Sequence, residues 1–312
     1  MFLIKVLIIA GAYYVISDKL LNHDSFSHFL WSERINSLGI SGLFFLFFIL
    51  FLSVVNWALE VKKWQSLVST ITTISLQTSA KQSLASLAAS LITPNRIGEY
   101  GAKAVYFKKK QRPKVLLLNF LSNAYQMLIT ILLGAIGVFF LKDIIRQIPI
   151  PTSAVVIFGI VSISIFFTIF FIAKKWSESL KKTLLELKRI PSGIHKKTFL
   201  FSLARYIVFS HQFYLFLLFF GLELDYVLVM PIIFSMYLIS SIIPGFVLFD
   251  WLVKGSVAVT LFRIFGVNDI IILSITASMW ILNFAVPAIM GTFYVLTFDG
   301  KQLRLKESKV SK

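Results

Sequence analysis

Long apolar runs separated by short polar loops dominate the chain. A helix that spans a bilayer needs about 20 mostly apolar residues. Two further runs, at 83–107 and 228–266, are interrupted by Pro, Gly and charged residues. The pattern therefore predicts an all-α integral membrane protein with about six full transmembrane helices, at residues 2–16, 40–59, 115–141, 152–173, 199–221 and 270–298.

The composition excludes an ordinary soluble enzyme. Of the 312 residues, 57% are hydrophobic and only 14% are charged, whereas a soluble domain has about 45–50% apolar and about 25% charged residues. The sequence contains no cysteine, which excludes disulfides, thiolate catalysis and Cys-ligated metal centres.

The basic residues are distributed unequally between the loops. One set of loops carries 23 Lys and Arg residues and the other set carries four. Short loops rich in Lys and Arg stay in the cytoplasm, so we expect a multi-pass protein of the cell (inner or plasma) membrane with both termini cytoplasmic. This placement explains most of the net charge of +17, and we expect no nucleic acid partner. The 23 residues are Lys5 and the Lys and Arg residues of segments 60–81, 103–114 and 174–198 and of the tail after 298.

The first apolar run also resembles a signal peptide, because it follows a charged amino terminus and contains Lys5. Asp18 and Lys19 come after it without a clear small-residue cleavage site. We therefore interpret residues 2–16 as an uncleaved anchor.

The loop charges predict that the two interrupted runs re-enter the membrane without crossing it. The loops on both sides of 83–107 are basic, so this run should enter and return on the cytoplasmic side. The 222–226 loop is acidic and the last span should start outside near Asp269, so 228–266 should enter from the opposite face. We expect one membrane domain, 1–298, with halves at about 40–173 and 199–298, and a basic cytoplasmic tail, 299–312.

The two interrupted segments share a local pattern. Each has an apolar half-helix, a Pro break, an acidic residue followed by an aromatic one, and a lysine four positions after the acid. Corresponding breaks in two halves of a chain are typical of inverted-repeat transporters with a site near the midplane. Chance similarity, with Glu99 at an interface and Lys103 in a basic loop, is the alternative. The matching residues are Pro94, Glu99 and Lys103 in the first segment and Pro244, Asp250 and Lys254 in the second.

Broken backbone and charge at membrane depth both predict a buried or wet cavity. A Pro break frees backbone groups that protein or water must satisfy, and each charge at a helix centre costs roughly 2.5–3.5 kcal/mol. An acid followed by a lysine at i+4 favours a helical ion pair. In this interpretation Arg96, Lys103 and Lys254 hold a phosphate, and Glu99 and Asp250 hold an amine or carry a proton.

Further polar residues occur inside apolar spans. Asn119, Asn123, Gln126 and Thr130 follow one another at helical spacing and share one face. They are expected either to line the cavity or to bond neighbouring helices. Arg205 is a substrate-binding candidate, with snorkelling toward Lys197 as the alternative. No metal site or cofactor is expected, and no phosphate-binding loop for ATP occurs.

The stretch Pro94-Asn95-Arg96-Ile97-Gly98-Glu99 resembles the Pro-x-Arg-x-Gly-Glu signature of the lysylphosphatidylglycerol synthase transmembrane family, the flippase-like domain. The order of spans and the second Pro-Gly break also fit, so the resemblance covers about residues 1–298. It implies a membrane protein that moves or exposes lipid headgroups. On the family's pattern the first hairpin's site is formed by Pro94, Arg96, Gly98 and Glu99, with Pro244 and Gly245 as the break in the second hairpin.

Full-length bacterial members of that family continue into a soluble aminoacyl-transferase domain. Here the chain ends at Lys312, shortly after the last span, so we expect no lipid synthesis and no enzyme activity. We predict translocation of an anionic lipid headgroup, with membrane lipids as partners and a homo-oligomer or a lipid-modifying enzyme as further candidates. A secondary transporter of a small polar solute and a non-catalytic assembly subunit are the alternatives.

Overall fold

The computed structural model describes residues 24–91, 93, 96–142, 177–243 and 250–297, and every regular element in these ranges is helical. The elements are α1 (Asp24–Val68), α2 (Leu76–Ser90), α3 (Ile97–Val105), α4 (Arg112–Phe140), α5 (Ser177–Lys188), α6 (Ser192–Phe219), α7 (Tyr226–Ile242), α8 (Asp250–Phe262), α9 (Asp269–Trp280), a π-helical turn (Ile281–Ala285) and α10 (Val286–Leu296).

Three segments within the described ranges are long and apolar enough to cross a bilayer, namely Trp31–Val68, Lys109–Phe140 and Asp269–Leu296. They contain the predicted span 40–59 and nearly all of the predicted spans 115–141 and 270–298. The predicted span 199–221 falls largely in α6, which is helical but is not among these three. Large apolar side chains such as Phe44, Phe139 and Phe293 are exposed on these three helices, as expected of surfaces that face lipid.

Two predicted spans, 2–16 and 152–173, lie outside the described residues, as do the tail 299–312 and the break residues Pro94, Pro244 and Gly245. The described residues on either side of each break show that both segments are interrupted. Helix α2 ends at Ser90 and α3 begins at Ile97, while α7 ends at Ile242 and α8 begins at Asp250. Neither segment is one continuous helix.

Polar caps define where several of these helices begin. The Ser75 side chain accepts a hydrogen bond from the Thr78 N–H at the start of α2. Asp225 and Asn268 do the same for the first turns of α7 and α9. Such caps satisfy amide groups that the first helical turn leaves free, so each broken segment and the last span has a defined starting point.

Several helices from the first half of the chain pack against helices from the second half. Helix α1 lies against α6, α2 lies against α10, and α7 lies against α4. Both of the last two contacts depend on glycine. A Cβ on Gly291 of α10 would collide with the Leu84 carbonyl, and one on Gly134 of α4 would collide with Leu238. Small residues let membrane helices approach closely, and α2 is itself rich in Ser and Ala.

Candidate functional site

A cavity of about 560 Å³ lies among these helices, and charged residues of both broken segments line it. Glu99 and Lys103 come from α3, Arg96 directly precedes α3, and Asp250 and Lys254 come from α8. Two residues from the long helices, Glu60 of α1 and Arg205 of α6, also line it. The cavity therefore collects charges that lie far apart in the sequence.

Helix α3 carries the ion pair that its spacing predicts. Lys103 Nζ lies 2.7 Å from Glu99 Oε1 and donates a second hydrogen bond of 2.7 Å to Asn119 Oδ1 on α4. The same ammonium lies 4.3 Å from the centre of the Trp64 ring, which adds a cation–π contact. The Lys103 side chain is only 1% exposed, so this pair fixes α3 against its neighbours.

Arg96 completes this group from the cavity side. Its guanidinium lies 3.5 Å from Glu99 Oε2, and its side chain is 41% exposed. The backbone has φ +59° and ψ +24°, the left-handed conformation that is unusual for residues other than glycine. A strained backbone at the start of a helix is typical of functional sites. We call Lys103, Glu99 and Arg96 the first ion triad.

A second ion triad of the same composition joins α1 and α6. Glu60 Oε2 lies 2.9 Å from Lys63 Nζ and is also bound by the Arg205 guanidinium. Lys63 is 1% exposed and Arg205 is 18% exposed. Each triad thus has a buried lysine, a carboxylate, and an arginine that is more exposed.

The position of Lys63 corrects one expectation. The sequence placed it in a cytoplasmic loop spanning 60–81, but α1 continues to Val68 and buries it. Charged residues at the end of an apolar run resemble a loop in the sequence. Lys63 is buried because residues elsewhere in the fold pack around it. The i,i+3 spacing of Glu60 and Lys63, with Trp64 beside them, was the local signal for a helix that continues inward.

The second broken segment presents a more open ion pair. Lys254 Nζ lies 2.6 Å from Asp250 Oδ2, with side chains 26% and 31% exposed. The ammonium lies 5.4 Å from the Phe284 ring centre and 5.7 Å from that of Tyr237. Arg96 lies 5.7 Å from the same Phe284 ring. One aromatic side chain therefore contacts a cation from each half of the chain.

A π-helical turn places Phe284 and its neighbour Asn283. Asn283 accepts a hydrogen bond from the Asn56 amide, donates one to Gln212, and accepts another through its carbonyl from Trp57. Asn56 in turn accepts a hydrogen bond from Arg205. This chain of hydrogen bonds orients Arg205, which contacts Glu60 and Asn56. Single π-helical turns within α-helices often occur at functional sites.

The polar face of α4 divides into a structural and a cavity part. Asn119 is fully buried and bound to Lys103. Asn123, Gln126 and Thr130 line the cavity, and Asn123 makes only a long hydrogen bond of 3.4 Å to the Tyr100 hydroxyl. Gln126 also donates a hydrogen bond of 3.4 Å to the Ser202 carbonyl of α6, so both sequence interpretations of this face apply.

Among the residues that the structure describes, no group of His, Asp or Glu side chains has the arrangement of a metal site. Sequence reasoning missed the contributions of Glu60, Lys63, Tyr237 and Phe284. An ion pair such as Arg205 with Glu60, 145 positions apart, leaves no local pattern in one sequence.

Comparison with protein families places the chain in a defined class. The model of the lysylphosphatidylglycerol synthase transmembrane region matches residues 2–291. The chain belongs to this family, and its apolar helices agree with an integral membrane protein. Neither a curated protein nor a solved structure gives a significant match.

Proposed function

We propose that this protein translocates the headgroup of an anionic lipid across the bilayer. The observation that carries the proposal is one cavity that ion pairs from both broken segments line together. A headgroup needs a polar path while its acyl tails stay in hydrocarbon, and a charged cavity between membrane helices provides such a path. Membership of a lipid synthase transmembrane family supports the assignment.

The packing of the helices supports an inverted repeat. Let α1, α2, α3 and α4 correspond to α6, α7, α8 and the continuous stretch from α9 to α10. The α1–α6 contact is then its own counterpart, and the α2–α10 contact has the α7–α4 contact as its counterpart. Repeats of this kind hold substrate at their interface, where broken helices meet. Two opposed re-entrant hairpins within about six spans, with cytoplasmic termini, are the arrangement we propose.

The exposed fraction of each charged side chain indicates which residues can contact a ligand. Arg96 and Lys254 are the more exposed cations at the broken segments, and both can contact a headgroup. Lys103 and Asn119 are buried and position Glu99. Asp250, with a side chain 31% exposed, is available to an amine or a proton, whereas Glu99 is 5% exposed and is held by Lys103 and Arg96. We assign no enzymatic step to these residues.

Reconstitution with fluorescent phospholipids tests the proposal. Wild-type protein should equilibrate labelled lipid between leaflets, and Arg96→Ala and Glu99→Gln should reduce the rate to that of empty liposomes. Lys62→Gln is the matched control, because Lys62 is an exposed lysine on α1 outside the cavity. Wild-type protein that exchanges labelled lipid no faster than empty liposomes would refute the proposal and favour an assembly role. Folded variants that exchange lipid as fast as wild type would refute the role of Arg96 and Glu99.

A secondary transporter of a small polar solute is the second candidate, favoured by the cavity volume. About 560 Å³ falls in the range of roughly 300–1,000 Å³ typical of small-molecule sites. This function predicts solute uptake by the same proteoliposomes without exchange of labelled lipid. Lipid exchange without solute uptake would exclude it.

A further inference from the structure

The charges that line the cavity do not balance. In the described part of the chain, five cationic side chains and three carboxylates line it. The Asp250–Lys254 pair is neutral, whereas each ion triad has two cations for one carboxylate. The neighbouring segments 92–95 and 244–249 contain no ionisable side chain. The excess of two positive charges therefore comes from the two triads.

The arginines present this excess to the cavity. Lys63 and Lys103 are both 1% exposed and bound to their own carboxylates, so neither is accessible to a ligand. Arg96 and Arg205 are the more exposed members of the triads. Within the described residues, the buried Arg96 Nε atom has no hydrogen-bond partner, which leaves a free donor on the more exposed of the two guanidiniums.

Both arginines line the same cavity, so their positive charges share one space. Like charges in a cavity of low dielectric are costly unless a counter-charge is present. A single anion that contacts both guanidiniums would remove the repulsion and neutralise the excess at once.

We propose that the cavity binds a phosphate monoester dianion through Arg96 and Arg205. The planar guanidinium matches phosphate oxygens in a bidentate geometry. A monoester carries a charge of about −1.5 to −2 at pH 7, with a second pKa of about 6. A phosphodiester headgroup carries only one negative charge on its phosphate and would leave half of the excess uncompensated. This inference rests on the proposed function and specifies its substrate class.

Binding to the purified full chain in detergent distinguishes the possible ligands. The probes are dioctanoyl phosphatidic acid, dioctanoyl phosphatidylglycerol, glycerol 3-phosphate and inorganic phosphate. At pH 7.5 we expect the lipid monoester to bind at least about tenfold more tightly than the diester, as expected for additional charge-assisted hydrogen bonds. This preference should disappear near pH 5, where the monoester has lost its second charge.

Variants of the two arginines test whether these residues cause the preference for the monoester over the diester. Arg96→Gln and Arg205→Gln should each reduce the ratio of monoester to diester affinity toward one, whereas Lys62→Gln should leave it unchanged. Arg205→Gln also removes a partner of Glu60, so folding is checked by the melting temperature. Arg205→Lys retains the charge without the planar fork and should retain part of the preference.

The outcomes separate this inference from the proposed function. Equal affinity for monoester and diester at both pH values, or a preference that survives both Gln variants, would overturn the inference and leave lipid translocation intact. If glycerol 3-phosphate bound as tightly as the lipid monoester and the protein moved no lipid, the monoester class would stand and lipid translocation would fail.

Discussion

Arg96 combines a strained backbone with a side chain directed at the cavity. Its left-handed conformation, with φ +59°, costs a side-chain-bearing residue about 1–2 kcal/mol. Glycine at this position would remove the strain and the guanidinium together. The cost is retained in the protein because the arginine contacts Glu99 and Phe284.

Comparing Arg96→Gly with Arg96→Ala separates the two contributions. Both variants lose the guanidinium, so both should lose lipid translocation. Only glycine relieves the backbone, so the glycine variant should be more stable than the alanine variant by about 1 kcal/mol. Melting temperatures in detergent and flux in liposomes provide the two measurements. Equal melting temperatures would contradict the strain, and translocation by either variant would contradict the role of the guanidinium.

Local spacing determined which charged residues could be recognised in the sequence. Glu99 with Lys103, and Asp250 with Lys254, lie four positions apart, and both form the expected ion pairs. Glu60 and Lys63 were assigned to a loop because their partner Arg205 lies in another helix. A pairing across the fold depends on packing, and one sequence does not contain that information.

At the scale of the elements, the crossing of α2 and α3 requires a glycine. The Gly98 N–H donates a hydrogen bond of 2.8 Å to Thr93 Oγ1. A Cβ at Gly98 would lie 2.8 Å from the same oxygen and would collide with the Ala89 carbonyl. The glycine in the family signature therefore has a structural reason, which is the close contact between the two arms of the first hairpin.

Gly98→Ala should destabilise the protein by roughly 1–3 kcal/mol, as overpacking does elsewhere, and should reduce translocation. Gly101→Ala is the matched control on the same helix, because a Cβ there meets no atom within 4 Å. Removing a glycine from a helix interior should stabilise by about 0.5–1 kcal/mol. Thermal unfolding in detergent measures both changes. A Gly98→Ala protein as stable as the control would contradict the contact.

Element boundaries were predictable where apolar runs end in caps or breaks. Both interruptions were recognised from Pro, Gly and charge, and the described residues confirm that helices end before them and begin after them. The end of α1 was not recognised, because its last turns carry charges that other helices bury. The π-helical turn at Asn283 has no signal in composition or periodicity and was also missed.

At the scale of the molecule, the loop charges predict orientation. Lys110 lies in the exposed basic segment between α3 and α4, and Glu223 is exposed in the loop between α6 and α7. Because the chain has no cysteine, a single cysteine introduced at either position is a unique label site. In intact cells, a membrane-impermeant maleimide should label Glu223→Cys and should label Lys110→Cys only after lysis.

Labelling of both positions in intact cells, or of Lys110→Cys alone, would contradict the orientation. The wild-type chain is the control for background, and melting temperatures verify that the variants fold. The result also determines which side of the membrane each hairpin faces, since Lys110 follows the first broken segment and Glu223 precedes the second.

The packing of helices from one half of the chain against helices from the other half affects the order in which the protein folds during synthesis. Helix α2 packs against α10, whereas α7 packs against α4. During synthesis α7 therefore emerges when α4 is already present, whereas α2, which also contacts α1 and α3, lacks its α10 neighbour until α10 has been made. We therefore expect the first hairpin to complete its packing late in biogenesis, because the face of α2 that contacts α10 stays uncovered until then.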